Sequence, residues 1–397
     1  MKSSQKRLRI LHLARWYPNR FDPMPGLFIQ RHAEAVALYA DTMLVYTHAV
    51  EKSMLRNKFE IDFEEKNGVT TAKVYFQNPG HSIPVWSHFQ KIFRFLKANS
   101  LGIKAVSDKG NSFDVIHVHV LTRLGLLVLY FKWAKKIPFV ITEHWTRYLN
   151  LTNGFNGLFR KWLTRWVVKE AAVVTTVSED LSRAMQSHGL KNPDYRVIAN
   201  VVDDVFFQIQ IPERNTKMKE FVHVSCFTDK HKNISGLLRV INNLAKQRQD
   251  FHFTLVGEGE DLEKMKNYAQ TLGIPKQLLT FTGLLEGKAL AETMANAHAL
   301  VIFSNYENMP VVINESFVLG VPVFSTRVGG IAEMVNEANG CLVDKGDEAA
   351  LLKVMIDFLA ERITFKTKAF REQARKAFSP QAVGLSLMNI YKNVLKQ

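Results

Sequence analysis

Glu307 and Glu315 stand eight residues apart in the stretch LVIFSNYENMPVVINESFVLGVPVFSTRVGGIAE, residues 300–333. A carboxylate offers two acceptor oxygens, which suits the hydroxyls of a sugar or a ribose. The chain between the two adds a second capability. Leu300 to Ser304 is apolar and reads as a buried parallel strand, and Asn305 to Asn308 is its polar exit loop. Pro310 suits the first turn of a helix that runs to about Leu319 and stops at Gly320. The free N–H groups and partial positive charge at such a helix start favour a phosphate. The same spacing also fits a solvated loop glutamate followed by a surface helix glutamate, and an E-x7-E pair alone has little specificity.

Other residues offer compatible chemistry. Lys230 and Lys232 precede a helix that begins at about Ile234, a place suited to a diphosphate and equally to a solvated turn. Gly257 and Gly259 form half of a dinucleotide fingerprint, which is weak by itself. His119 and His144 fall at the carboxyl ends of two strands, where ligands bind in open α/β sheets. Taken singly, a histidine is more often a hydrogen-bonded structural residue. Gly26, in the loop RWYPNRFDPMPGLF, would let backbone approach a ligand closely, or it is a plain turn glycine.

The elements that must position these residues alternate strand and helix. In the first half, strands are expected at Ile10–Ala14, Thr42–Thr47, Val69–Phe76, Phe113–His119, Pro138–Thr142 and Ala172–Val177, with a short strand starting at Val197. Helices are expected at Phe28–Tyr39, His88–Ala105, Leu124–Ala134, Phe155–Lys169 and after the cap Ser178-Glu179-Asp180. Residues 51–68 are charged and read as a mobile loop or short strands, and residues 208–220 as a linker. The second half restarts the pattern at Phe221–Cys226 and continues through Phe253–Val256, Leu279–Thr282, Leu300–Ser304 and Val321–Ser325. It closes with helices at Ile363–Phe378 and Pro380–Leu395. Repeated strand-then-helix predicts two doubly wound parallel sheets.

Composition bounds the rest. A length of 397 residues suggests two or three domains. Cys226 and Cys341 make neither a disulfide framework nor a metal spacing, which favours a reducing compartment. The apolar run Leu124–Phe131 is far below the roughly 18 residues that span a bilayer. Residues 1–205 carry 29 Lys+Arg against 17 Asp+Glu, a net +12, whereas residues 206–397 carry 23 against 20, a net +3. The basic half also holds two helices that interleave aromatic and basic residues. One has Phe89 and Phe93 with Lys91, Arg94 and Lys97; the other has Trp162 and Trp166 with Arg160, Lys161 and Arg165. These read either as one core face with a solvated basic face or as helices lying on an anionic membrane surface. No RNA-binding motif accompanies them, so nucleic acid is not expected as a partner.

Together the segments resemble the family-4 retaining glycosyltransferases of the GT-B fold over nearly the whole chain, most closely from Phe221 to Val343. The carrying pieces are ENMPVVINE, GVPVFSTRVGGIAEMV, FTLVGEG, FTGLL and Lys232-Asn233, with DVIHVHV, ITEHWT, TTVSEDL and VIANVVD in order before them. The resemblance implies two Rossmann-like domains facing a cleft. Residues 1–207 would bind the acceptor and 208–379 the nucleotide-sugar, and a helix over about 380–397 would cross back to the first domain. Glu307 would contact the 3- and 4-hydroxyls of the donor sugar. Backbone N–H groups of Asn308, Met309 and Val311, at the turn made by Pro310, would hold sugar and diphosphate. Glu315 would bind the ribose and Lys232 would neutralise the leaving diphosphate. Lys230, Gly257, Gly283 and Leu284 would line the donor site. Gly26 would let the first loop close on the phosphates, and His144 would sit near the reacting sugar. No cofactor or metal is expected, in line with the lack of an Asp-x-Asp motif. One departure stands out: Ser225-Cys226 occupies the place where the family has Gly-Arg, whose Arg clamps the diphosphate.

The resulting expectation is a retaining glycosyltransferase that moves a sugar from a UDP-sugar to a glycan or lipid-linked acceptor in surface-polysaccharide or glycolipid synthesis. It would be cytoplasmic, at the inner face of the membrane. A nucleotide-sugar epimerase of the same fold and a catalytically silent sugar-nucleotide-binding protein are the alternatives; the first needs no acceptor, and the second releases no nucleotide.

Overall fold

A computed structural model describes residues 7–79, 84–107, 112–121, 123–149, 154–214 and 217–396, residues 84–88 by their backbone alone. The side chain of His88, at the start of an expected helix, and residues 215–216 of the expected linker therefore lie outside what is described. The chain divides into two compact units. One comprises residues up to Val177, Ser182–Val201 and the stretch from Pro380; the other comprises Ser178–Leu181 and Val202–Ser379.

The first unit begins β1 (Arg9–Ala14), α1 (Leu27–Ala37), β2 (Asp41–Val50), β3 (Phe59–Lys66), β4 (Val69–Gln77) and α2 (Pro84–Val106). It continues β5 (Val115–His119), α3 (Leu124–Lys135), β6 (Phe139–Glu143), α4 (Leu158–Glu170), β7 (Val173–Thr176), α5 (Glu179–Ser187) and β8 (Tyr195–Val197). Its strands form an eight-stranded sheet in the order β3-β4-β2-β1-β5-β6-β7-β8, parallel except for β3. Strands β1, β5, β6 and β7 are buried on both faces, which is why their sequences are near-continuous apolar runs without alternation.

Strand β3 decides between the mobile loop and the short strands expected at 51–68 in favour of a strand, Phe59–Lys66. Phe59, Ile61 and Phe63 alternate with Glu60, Asp62 and Glu64, and the strand pairs antiparallel with β4 across Asn67-Gly68. Both turn residues have positive φ, 50° and 77°, the conformation a two-residue hairpin turn requires. The charges that suggested irregularity lie on the half-buried face of an edge strand, where Glu60 and Asp62 pair with Arg20 and Glu64 with Lys73, while Ile61 and Phe63 are the exposed side chains.

The second unit runs α6 (Asp204–Gln208), β9 (Lys219–Val224), α7 (Asp229–Lys232), α8 (Ile234–Ala245), β10 (Phe251–Val256), α9 (Leu262–Thr271), β11 (Leu279–Gly283) and α10 (Gly287–Asn296). It continues β12 (Ala299–Ile302), α11 (Val311–Val318), β13 (Val323–Thr326), β14 (Gly340–Val343), α12 (Glu348–Leu359) and α13 (Thr367–Phe378). Its six strands are all parallel, in the order β11-β10-β9-β12-β13-β14. Phe221, Phe251, Phe253 and Phe324 are fully buried along this sheet, and Phe358 and Phe365 from the covering segments pack against them. Each fully buried phenylalanine contributes about 1.5–3 kcal/mol through removal from water, so the strand ends that carry the loops are firmly held. Asp203 and Asp347 cap α6 and α12 through their side chains.

The last helix, α14 (Pro380–Val394), belongs to the first unit, as expected of a C-terminal crossover. It packs on α1 so closely that a methyl at Gly384 would overlap the backbone carbonyl of Ala35. The buried Tyr391 hydroxyl lies 2.6 Å from His117 Nδ1.

Candidate active site

In both sheets the strand order reverses at one place, and loops leaving the carboxyl ends of the strands there diverge to leave a crevice. In the second unit the reversal lies between β9 and β12. The segment after β9 carries Lys230 and Lys232, and the loop after β12 carries Glu307. Lys232 Nζ is 2.6 Å from Glu307 Oε1, and Ser304 Oγ donates to the same oxygen at 2.8 Å. Glu307 and Glu315 are both buried, which overturns the reading of two surface glutamates. Glu315 lies inside α11, an eight-residue helix whose N-cap is Pro310 in an extended conformation. Asn308, Met309 and Val311 therefore bracket the helix start, where backbone N–H groups have no intrahelical partner.

Backbone contacts fix this loop in place. Asn305 N donates to His231 O at 2.8 Å and Asn305 Nδ2 to Lys230 O at 3.3 Å, stitching the β12 loop to the lysine-bearing turn. Thr326 Oγ1, at the end of β13, donates to Ser304 O at 2.7 Å. Gly329 has φ +52°, and a side chain there would overlap the carbonyl oxygen of Glu307. Gly330 N donates to Asn308 O at 2.9 Å. The Gly329-Gly330 pair thus exists so that one backbone can lie against the segment presenting Glu307.

Gly257 follows the end of β10 and Gly283 ends β11, both at positive φ, and Gly257 N donates to Gly283 O at 2.8 Å. A methyl at Gly257 would overlap Ser225 O, so the β9 and β10 loops also touch backbone to backbone. Leu284 is partly exposed beside Gly283. Lys230 is exposed, and its contribution to the fold is its backbone carbonyl. Ser225, at the place where a glycine was expected, bonds through Oγ to His223 Nε2 at 2.8 Å, and Cys226 is exposed. His223 Nδ1 is 2.8 Å from Val301 O. Burial, opposed by that carbonyl and reinforced by Lys232, holds His223 down to about 4, so it is a neutral donor to Val301 and acceptor from Ser225.

In the first unit the reversal lies between β1 and β5. His12 pairs with His117 across these strands, and His119 follows on the same face of β5. His32 from α1 and His144 from the end of β6 complete a group of five buried imidazoles. Sequence reading found His119 and His144 but missed His12, His32 and His117. The i, i+2 spacing of His117 and His119 was the available signal; His12 and His32 needed the strand order. Burial pushes all five below their ordinary value, His12 to about 3 and His32 to about 4; repulsion from neighbouring rings adds to it for His12, His117, His119 and His144, while the Ala199 carbonyl opposes it for His32. They are neutral at pH 7.

Glu143, beside His144, accepts backbone N–H bonds from Leu121, His144 and Trp145 at 2.9–3.0 Å. Its burial outweighs those bonds and raises it to about 7. It fixes the turn that presents His144. The His144 ring lies 4.5 Å from that of Phe28, two residues beyond Gly26. Gly26 is the N-cap of α1 at φ +79°, and a side chain there would overlap the Trp16 carbonyl; its observed close approach is to the Trp16–Tyr17 backbone. Ser304, His223 and Glu143 are the other positioning residues that sequence reading missed.

Two family descriptions match the chain: "Glycosyl transferases group 1" over residues 204–377 and "Glycosyltransferase Family 4" over residues 42–206. N-acetyl-alpha-D-glucosaminyl L-malate synthase of Bacillus anthracis is 24% identical over 299 residues, covering 72% of this chain and 76% of that protein. Among solved structures, HepE of Anabaena in complex with UDP superposes with a TM-score of 0.70 at 15% identity, covering 97% of this chain and 100% of that one. The lipopolysaccharide outer core galactosyltransferase WaaB superposes with a TM-score of 0.67 at 15% identity, covering 97% and 99%. At these identities the structures bear on the fold alone, which is GT-B.

Proposed function

The chain belongs to the group 1, family 4 glycosyltransferases of the GT-B fold, and from that premise we propose that it transfers a sugar, with retention, from a UDP-sugar to a glycan or lipid-linked acceptor in surface-polysaccharide or glycolipid synthesis. The observation that carries this reading is the part-buried Lys232–Glu307 pair beside the start of α11, where the strand order reverses. Glu307 takes the 3- and 4-hydroxyls of the donor sugar. The N–H groups of Asn308, Met309 and Val311, at the turn made by Pro310, take sugar and diphosphate, and Glu315 takes the ribose. Gly257, Gly283 and Leu284 border the nucleotide, and Lys230 adds positive charge in place of the arginine replaced at Cys226. From the first unit the same reading assigns His144 to the transferred sugar and Gly26 to the phosphates. Residues 1–207 thereby serve the acceptor and 208–379 the donor.

The transfer is a front-side displacement. The sugar–phosphate bond breaks, the departing diphosphate oxygen accepts the proton of the acceptor hydroxyl, and the new glycosidic bond forms on the same face. Lys232 and the N–H groups carry the charge that develops on the diphosphate, so the protein's share is positioning and electrostatics. Metal plays no part in this step.

The acceptor side of the proposal rests on α3 and α4. Leu158, Phe159 and Trp162 on α4 are 90%, 70% and 56% exposed, and Trp162, Trp166 and Trp133 form a chain of ring contacts at 5.0–5.3 Å. Arg165, Lys169 and Lys191 line a groove of about 860 Å³ beside Trp162 and Trp166. Aromatic anchors among cations suit an anionic bilayer surface, and no helix among the described residues is long and apolar enough to cross one. On this reading the protein works at the cytoplasmic face of a membrane.

The test is a panel of UDP-, GDP- and ADP-sugars read by thermal shift and by nucleotide release, with and without polyprenyl-linked acceptors. UDP release from at least one UDP-sugar by wild type, and not by Glu307→Ala, is expected. Binding of UDP without release from any nucleotide-sugar would sink the enzymatic reading.

A further inference from the structure

The histidine group of the first unit is not used up by the transfer chemistry. Three of its rings, His32, His119 and His144, stand in a near-equilateral triangle with centroids 5.5, 5.9 and 5.9 Å apart. One nitrogen from each lies within 4.8 Å of the others. The tautomer of His32 is set from outside the triangle. His32 Nε2 is 3.0 Å from the carbonyl oxygen of Ala199, to which it donates, so its Nδ1 carries a lone pair. His119 Nε2 is 3.0 Å from His12 Nδ1. His32 Nδ1 and His119 Nδ1 are buried and have no hydrogen-bond partner. Buried polar atoms are almost always satisfied, so two such nitrogens on histidines that can bring three ring nitrogens within 4.8 Å of one another call for a ligand.

We propose that His32, His119 and His144 form a site for a borderline transition-metal ion of the Zn²⁺ class, held by one ring nitrogen from each histidine. Three neutral imidazoles with an open fourth position make a familiar zinc donor set, and imidazole selects zinc, copper, nickel or cobalt over magnesium or calcium. Ala199 O and His12 supply the outer hydrogen bonds that orient ligating histidines. Tetrahedral zinc with bonds of about 2.0–2.1 Å needs ligand nitrogens roughly 3.4 Å apart, so the rings must draw in slightly on binding. The neighbouring triad of His12, His117 and His119 is the poorer site, because both His117 nitrogens are already engaged, by Tyr391 and Thr142 at 2.6 Å each. The ion ties β5, β6 and α1 together and takes one nitrogen of His144, leaving the other for the sugar. It fastens the fold of the first unit and stands whether or not the transfer proposal does.

The test uses tag-free full-length protein, stripped with a chelator and titrated with Co²⁺ and Zn²⁺. One equivalent of Co²⁺ with the visible bands of a four-coordinate nitrogen site, displaced by Zn²⁺, is expected, with a rise in the unfolding temperature. His32→Phe should lose that spectrum while keeping the wild-type circular dichroism. X-ray absorption of zinc-loaded wild type should show a first shell with three imidazoles, which keeps the proposal testable if the variant fails to fold. Absence of four-coordinate cobalt bands in wild type, an unchanged spectrum in a folded His32→Phe, or a zinc shell without three imidazoles overturns it; the two nitrogens then face buried water.

Discussion

Lys232 Nζ and Glu307 Oε1 are 2.6 Å apart, and both side chains are largely withdrawn from solvent. The ammonium that would neutralise a diphosphate is thus held, without ligand, by the carboxylate that would bind the sugar. A donor arriving at this site must part the pair, offering phosphate oxygens to Lys232 and hydroxyls to Glu307.

Competition for one ammonium predicts opposite effects on binding and turnover. Glu307→Gln removes the charge that holds Lys232, so affinity for UDP alone should rise by roughly 5-fold, the equivalent of a modest ion pair of about 1 kcal/mol. Sugar transfer should fall by about 10²-fold or more. Lys232→Met should weaken UDP binding and lower kcat together. Calorimetry with UDP beside transfer kinetics reads both, and weaker UDP binding by Glu307→Gln would count against the shared-ammonium account.

A second prediction concerns the glycine pair behind Glu307. Gly329→Ala meets both an unfavourable φ of +52° and the carbonyl of Glu307, whereas Gly346→Ala has a φ of +76° and nothing within 4 Å of the added methyl. Gly346→Ala should cost about 1 kcal/mol and leave activity intact. Gly329→Ala should cost about 2–4 kcal/mol and displace the segment presenting Glu307, so turnover drops as well. Urea unfolding and initial rates of the two variants, run side by side, decide whether the close approach matters beyond the strain.

His223 makes a pH prediction. Its folded value is about 4, below the ordinary value of 6.5, because burial disfavours the imidazolium. Between those values the unfolded chain binds a proton that the folded chain refuses, so stability falls as pH drops from about 6.5 towards 4 and is fully present above 6.5. The single group contributes about 3 kcal/mol across that window. His223→Gln should flatten the dependence by about 2 kcal/mol between pH 7 and pH 5, the part of that window the two conditions span, read as the difference between wild-type and variant unfolding free energies. An identical slope in both proteins would assign the effect elsewhere.

The exposed face of α4 can be probed with vesicles. Wild type should float with vesicles containing anionic lipid at low salt and detach as salt screens the basic residues. The double change Phe159→Ser, Trp162→Ser should lower partitioning by about 10-fold or more, since each ring is worth about 1.5–3 kcal/mol when withdrawn from water. Equal flotation of the variant would remove α4 from the contact.

The doubly wound sheets were legible because buried parallel strands such as Val115–His119 and Ala299–Ile302 leave uninterrupted apolar runs between helical periods. Glu307 and Glu315 were legible as a pair but not as buried groups; Glu307 is enclosed by Ser304, Lys232 and Gly329, which lie three to 75 positions from it. The hairpin at Asn67-Gly68 was within reach and was obscured by the charge of β3, which an edge strand tolerates. The five histidines could not be assembled by reading along the chain. Residues 12, 32, 117, 119 and 144 meet only because β1 inserts between β2 and β5, and local spacing does not encode strand order.

The discontinuity of the first unit also bears on how the protein is made. Residues 380–394 close against α1, which is synthesised some 350 residues earlier, as the contact of Gly384 with Ala35 records. Until that helix leaves the ribosome, Val36 and the inner face of α1 lack their cover, while the second unit, whose sheet lies wholly within Lys219–Val343, already has all its strands. The nascent chain therefore carries an unfinished apolar surface through most of translation, a period in which chaperone capture or aggregation competes with folding.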